Sequence, residues 1–110
     1  MGLPPVGSVV LIPFPFADFS KIKTRPALVV AHAEFNNLVV CQISSKNLAP
    51  KSSVRLGTSD FEKAGLLIDS FIRPNKLSTI EKHLVIKGLG VIKPAKRKEV
   101  LQKLRTLFKD

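Results

Sequence analysis

Arg25 is the side chain from which a chemical reading of this 110-residue chain starts. It closes the basic stretch Lys21-Ile22-Lys23-Thr24-Arg25 and precedes Pro26, which disfavours helical backbone at the residue before it. An extended arginine beside a lysine-bearing loop makes a phosphate site, although a solvated charged loop has the same composition. Gln42 and Ser44 alternate within the run Leu38 to Ser45 and so share one face of a strand. More cations sit in a loop, Lys46 and Lys51 between Ser45 and Ser53, and in a loop or sheet edge, Arg73 and Lys76 in Arg73-Pro74-Asn75-Lys76. His32 and His83 are the only side chains with ordinary pKa values near neutrality, and each stands alone, which suits surface or packing roles. Cys41 is the single cysteine, so an internal disulfide and a cysteine zinc cluster are both excluded; a small buried apolar residue is expected there.

The balance of charge narrows the partners. Eighteen Lys and Arg against eight Asp and Glu give +10, and a pI near 10.2 points to a polyanion, either RNA or an acidic protein segment, ahead of a membrane surface. With no Trp or Tyr, stacking on bases would fall to Phe or His. No apolar run approaches the ~20 residues of a membrane span. The N-terminus also lacks the pattern of a signal peptide, so a cytoplasmic protein is expected. The length allows one domain, 1–110, with a single core.

The elements that must hold these side chains are mostly strands. Val9 to Ile12 follows a Gly7-Ser8 turn signal and reads as a strand. Pro13 and Pro15 then force the chain off the sheet or along an edge, exposing Phe14 or Phe16 beside a loop from Ala17 to Thr24. Ala27 to Ala31 and Leu38 to Ser45, joined through Asn36-Asn37, read as a hairpin. Alternation puts Val39, Cys41 and Ile43 on one face, assigned to the core, and Leu38, Val40, Gln42 and Ser44 on the other. Leu38 and Val40 would then need a cover, which predicts a homodimer unless the terminal helix lies over them. Val54 to Leu56 is a short strand. Ser59 and Glu62 suggest a capped helical turn ended by Gly65, and strand resumes at Leu66 to Ile68, breaks at Asp69-Ser70 and continues at Phe71-Ile72. Ser78 and Glu81 leave Thr79 to His83 open between a turn and a short helix. Pro94 starts a helix whose apolar face is Val100, Leu101, Leu104, Leu107 and Phe108, with Lys96, Arg97, Lys98, Lys103 and Arg105 as a solvated face.

Taken in order, GSVVLIPFPFADFS, RPALVV, VCQISS, GLLIDSFIRPNKLSTI and the closing helix resemble the MazF/PemK family of toxin endoribonucleases. The resemblance spans most of the chain and implies a mainly β fold with helices, a small SH3-like twisted β-barrel carrying a C-terminal helix. It also implies a homodimer. The implied activity is sequence-selective, metal-independent cleavage of single-stranded RNA without a cofactor, by the toxin of a type II toxin-antitoxin pair, inhibiting translation and growth. It maps the family's catalytic arginine to Arg25 and its strand-end hydroxyl to Ser44, with Asp69 in GLLIDS a candidate for accepting the 2′-OH proton. Lys21, Lys23, Gln42, Lys46, Arg73 and Lys76 are the expected RNA-binding residues. A cognate antitoxin with an acidic disordered segment would compete for the same groove, with Phe14 or Phe16 either anchoring its apolar residues or packed in the core. Two positions depart from the family pattern: Ser8 replaces a commonly acidic residue, and Ser44 replaces the commoner threonine. The alternative is a barrel without catalysis that binds RNA or a protein target.

Overall fold

The computed structural model describes residues 2–15, 22–47, 51–66 and 68–109. Seven strands lie in it: β1 (Ser8–Pro15), β2 (Ile22–Ala33), β3 (Asn37–Ser44), β4 (Val54–Leu56), β5 (Phe61–Ala64), β6 (Ser70–Glu81) and β7 (Lys87–Ile92). A single helix, α1 (Pro94–Leu107), follows them. The strands form one sheet in the order β4-β6-β3-β2-β1-β7-β5, and every pairing is antiparallel. The two ends of that order, β4 and β5, are consecutive in the chain and separated only by Gly57 to Asp60. Val54 and Leu56 from one edge and Phe61 from the other enter the same apolar cluster. The sheet therefore curls until its edges nearly meet, the half-closed barrel expected of an SH3-like fold.

Inside the curl, Val9, Leu28, Cys41, Ile43, Ile72 and Ile92 pack with Val100 of α1. The outer face is apolar too. Val10, Ile12, Ala27, Val29, Leu38 and Val40 form a second buried cluster, flanked by Leu3, Ile80 and Val85. This corrects the assignment of faces along β3: alternation is kept, but both faces are buried. Leu38 and Val40 are each 0% exposed within the single chain, so they present no apolar surface for a second copy. Nor does α1 cover them, since Val100 packs on the other face.

Other boundaries shift for local reasons. β1 continues through Pro13 and Pro15, paired to Thr24 and Ile22 of β2. Its opposite side pairs with β7 only from Ser8 to Leu11, so the prolines lie where that edge has no ladder to break. β2 accordingly starts at Ile22 and includes Arg25, opposite Ile12. The loop expected to Thr24 therefore ends earlier; Phe16 and Lys21 lie outside the described residues. Arg73 to Lys76 is not a separate loop but a bulge inside β6: Gln42 faces Arg73 while its neighbour Cys41 faces Leu77, leaving Pro74, Asn75 and Lys76 without partners on β3. A Pro, lacking an N–H, is at home there.

The expected turn at Ser59 to Glu62 is a 3₁₀ turn at Thr58–Asp60, where the Asp60 carboxylate accepts from Gly57 N–H at 2.7 Å. Residues 61–64 are strand instead. Leu66 and Ile68 lie outside strands, Thr79 to Glu81 belong to β6, and a 3₁₀ turn occupies Lys82–Leu84. On α1 the basic face is partly committed. Lys96 Nζ donates to Glu99 Oε1 and to the Arg55 carbonyl, both at 2.9 Å, and Arg97 Nη1 donates to the Val6 carbonyl. Leu107 and Phe108, expected on the buried face, are exposed, Phe108 by 68%.

Candidate functional site

Cross-strand neighbours point to the same side of a sheet, so the register decides which candidates meet. Ala27 pairs with Gln42, and Gln42 pairs on its other side with Arg73. Arg25 stands two residues from Ala27, and Ser44 two residues from Gln42. The ladder between β2 and β3 ends at Ala27 and Gln42, so Arg25 and Ser44 lie just beyond its last pair. Lys23, Arg25, Gln42, Ser44 and Arg73 therefore share the outer face, at the end beyond Leu38 and Val40. Three adjacent strands contribute, β2, β3 and β6, with β3 carrying the uncharged pair between two guanidinium-bearing neighbours. At ~4.8 Å per strand the outer two are ~10 Å apart, within reach of arginine side chains converging on one anion.

Local geometry prepares this face. Pairing between β2 and β3 begins at Ala27, one residue after Pro26, so Arg25 extends from the point where the two strands part. Arg25, Gln42, Ser44 and Arg73 are all half-buried, and Lys23, Lys46 and Lys76 are exposed. Ser44 Oγ accepts the Lys46 backbone N–H at 3.1 Å. A hydroxyl with one acceptor site used in this way is oriented and keeps its O–H to donate. Arg73 Nε is buried without a hydrogen-bond partner. Such a donor costs about 1–3 kcal/mol, a cost that fits a site built to attract negative charge.

Asp69 lies off the strands, just before β6. Its Oδ2 accepts from Arg55 Nη2 at 2.5 Å, an ion pair open to solvent on both sides. Its chain neighbours Ile68 and Ser70, however, line a cleft of about 180 Å³ together with Arg25, Pro26, Ile43, Ser45 and Leu66. Lys76 projects from the bulge of β6, and Lys21 lies outside the described residues. The two histidines stay apart from the site: His32 bonds the Pro4 carbonyl, and His83 pairs with Glu81. Among the described residues no group of three His, Cys, Asp or Glu side chains could hold a metal ion. No helix among them is long and apolar enough to cross a membrane.

Sequence reasoning missed Arg55 and the cleft walls. Arg55 lies in a three-residue strand, and its partner is 14 residues away, a separation that no local pattern signals. Leu66 and Ile68 carried an apolar signal, but it resembled a strand.

A family profile described as PemK-like, MazF-like toxin of type II toxin-antitoxin system matches residues 6–108. No curated relative is found by sequence. Among solved structures the chain is similar to a MazE-MazF crystal structure from Deinococcus radiodurans, at 20% identity and TM-score 0.77, covering 97% of this chain and 96% of that one. It is also similar to an endoribonuclease from Mycobacterial species, at 18% identity and TM-score 0.74 over 96% and 91% of the two chains. A third, an endoribonuclease in complex with its cognate antitoxin from Mycobacterial species, aligns at 18% identity and TM-score 0.73 over 96% and 93%. These likenesses establish the fold.

Proposed function

The chain belongs to the PemK-like, MazF-like toxins of type II toxin-antitoxin systems, and from that membership we propose that it is an endoribonuclease that cleaves single-stranded RNA, sequence-selectively and without a metal. The observation that supports the reading is the register that sets Gln42 between Ala27 and Arg73, with Arg25 and Ser44 each two residues further along their strands. In the proposed reaction a ribose 2′-oxygen attacks the adjacent phosphorus, the bond to the 5′-oxygen of the next nucleotide breaks, and that oxygen leaves as a hydroxyl. A 2′,3′-cyclic phosphate remains. Negative charge grows on the phosphoryl oxygens during attack, and the Arg25 guanidinium, carried on β2 opposite Ile12, stabilises it. Ser44, its hydroxyl oriented by Lys46 N–H, donates to a phosphate oxygen and holds phosphorus in line with the attacking group. Arg73 and Lys23 neutralise the flanking backbone, and Gln42 contributes hydrogen bonds between them.

The protein's partners in this reading are mRNA, a second copy of the chain and a cognate antitoxin whose acidic segment competes with RNA for the Arg25 face. Incubation with mixed single-stranded RNA in the presence of a chelator tests the activity. Products should end in 2′,3′-cyclic phosphate or 3′-phosphate, and Arg25→Ala should lower the rate at least ~100-fold. An unchanged rate in that variant removes Arg25 from the mechanism. Tight RNA binding by the intact protein without cleavage would make the barrel a binding module.

A further inference from the structure

Phosphate chemistry leaves the cleft beside Arg25 unused. It is lined by Pro26, Ile43, Leu66 and Ile68, with Arg25 and the two serines Ser45 and Ser70 as its polar residues. A phosphate or a ribose has no use for four apolar walls. A nucleobase does, being apolar on both faces and polar only along its edge, where the Ser45 hydroxyl can donate or accept and the Ser70 oxygen, whose proton goes to the Ile68 carbonyl, can accept. The volume of about 180 Å³ is that of about six water molecules, which suits one unstacked base. Ile68 stands at the mouth 62% exposed, an apolar side chain that a stacked base would cover. Position agrees with shape. Ser44 is the last residue of β3, Ser45 follows it into the cleft, and Arg25 touches both regions. A phosphate held by Arg25 and Ser44 thus sets the neighbouring base at the cleft mouth.

The outer wall of the cleft belongs to the connection between β5 and β6. Gly65 N–H is tied to the Leu89 carbonyl at 2.9 Å, and Ser70 Oγ donates to the Ile68 carbonyl at 3.2 Å. Between these ties, Asp69 is held across to Arg55 on the edge strand β4. An exposed ion pair of this kind adds little to stability. It does tie Asp69, the residue after Ile68, to the edge strand β4.

We infer that this cleft is the recognition pocket for a single unstacked base flanking the scissile phosphate, and that Arg55, acting through Asp69, is a positioning residue that sets the pocket's outer wall. The identity of the anion at Arg25 rests on the RNA-cleavage reading, whereas base capture does not require cleavage. Asp69 is then a structural partner of Arg55 and not the base that removes the 2′-OH proton.

Two measurements test this. The first is binding, by fluorescence anisotropy, of short 2′-deoxy oligonucleotides that have no attacking hydroxyl, each carrying one of the four bases among abasic positions, against the fully abasic backbone. At least one base should bind about tenfold tighter than the abasic strand, the order expected for one base stacked on side chains. Ile68→Ser should erase most of that difference. Arg55→Gln and Asp69→Asn should each reduce it a few-fold, and the double variant no further, because the two residues act as one unit. Equal binding of all four bases and the abasic strand overturns the pocket while leaving the cleavage reading intact. Base discrimination in a protein that cuts no RNA overturns the cleavage reading and leaves the pocket standing. The second measurement is cleavage kinetics: a positioning role raises KM in Asp69→Asn and Arg55→Gln alike, with kcat changed by less than about threefold. A fall in kcat of about a hundredfold or more in Asp69→Asn alone, as for loss of a general base, overturns the role given to Arg55.

Discussion

Replacing Leu38 by Ala asks whether the outer face of the sheet is closed by one chain or by two. Leu38 is 0% exposed and packs with Val10, Ile12, Ala27, Val29 and Val40. Truncating a buried leucine costs about 2–5 kcal/mol, from lost transfer energy and from the cavity left behind. Here β3 is hydrogen-bonded on both sides, His32 lying opposite Leu38 on β2 and Ile80 opposite it on β6. The backbone cannot close in on the gap, so ~3 kcal/mol, the middle of that range, is the expected loss. For a chain of this length the entropy of unfolding is ~0.23 kcal/mol per kelvin, which converts the loss to a fall in Tm of ~13 °C. Urea denaturation of L38A and of the parent protein, each at low and high micromolar concentration, provides the assay. Burial within one chain requires the same difference between the two proteins at both concentrations, whatever the oligomeric state. A loss below ~1 kcal/mol, or one that appears only at high concentration, would place Leu38 at a contact between copies and refute the packing described for this face.

Two further outcomes follow from the core and the sheet. Burial pushes the Cys41 thiol from 9.0 up to about 12, so its contribution to stability is complete below pH 9 and is lost as pH rises toward 12. The parent protein should therefore lose stability above pH 9 more steeply than Cys41→Ala, by up to about 1.4 kcal/mol per pH unit, in denaturation series run from pH 8 to 11; parallel curves would show that the thiol titrates normally. In β7, a Cβ on Gly90 would lie 2.7 Å from the Lys63 carbonyl oxygen and 2.9 Å from Gly65 N, whereas one on Gly88 meets nothing within 4 Å. Gly90→Ala should thus cost ~1–3 kcal/mol and Gly88→Ala less than ~0.5 kcal/mol, a contrast that thermal denaturation of both reads directly and that equal losses would contradict.

Much of the local structure was legible in the chain because it depends on neighbours in sequence. The strand at Val54–Leu56, the hairpin through Asn36-Asn37, the helix from Pro94, the burial of Cys41 and the shared face of Gln42 and Ser44 all follow from apolar alternation, turn residues and proline chemistry. The family was legible too, since the order of short blocks along the chain carries it. Alternation, however, gives only the parity of side chains. It shows that Leu38 and Val40 oppose Cys41 and Ile43, but not that the sheet is covered on both sides, which depends on Leu3, Ile80 and Val85 arriving from elsewhere. The proline-bearing bulge at Pro74 was legible as a break, but not as an excursion that returns to the same strand and keeps Arg73 beside Gln42. Register across β2, β3 and β6 is a property of three segments at once. The pairing of Arg55 with Asp69, and with it the wall of the cleft, depends on the curl that brings the short edge strand β4 onto β6. Sequence thus determined which side chains could serve the chemistry, and only the tertiary structure decided which of them stand together, because hydrogen-bond register and sheet closure are long-range constraints that no window of neighbouring residues contains.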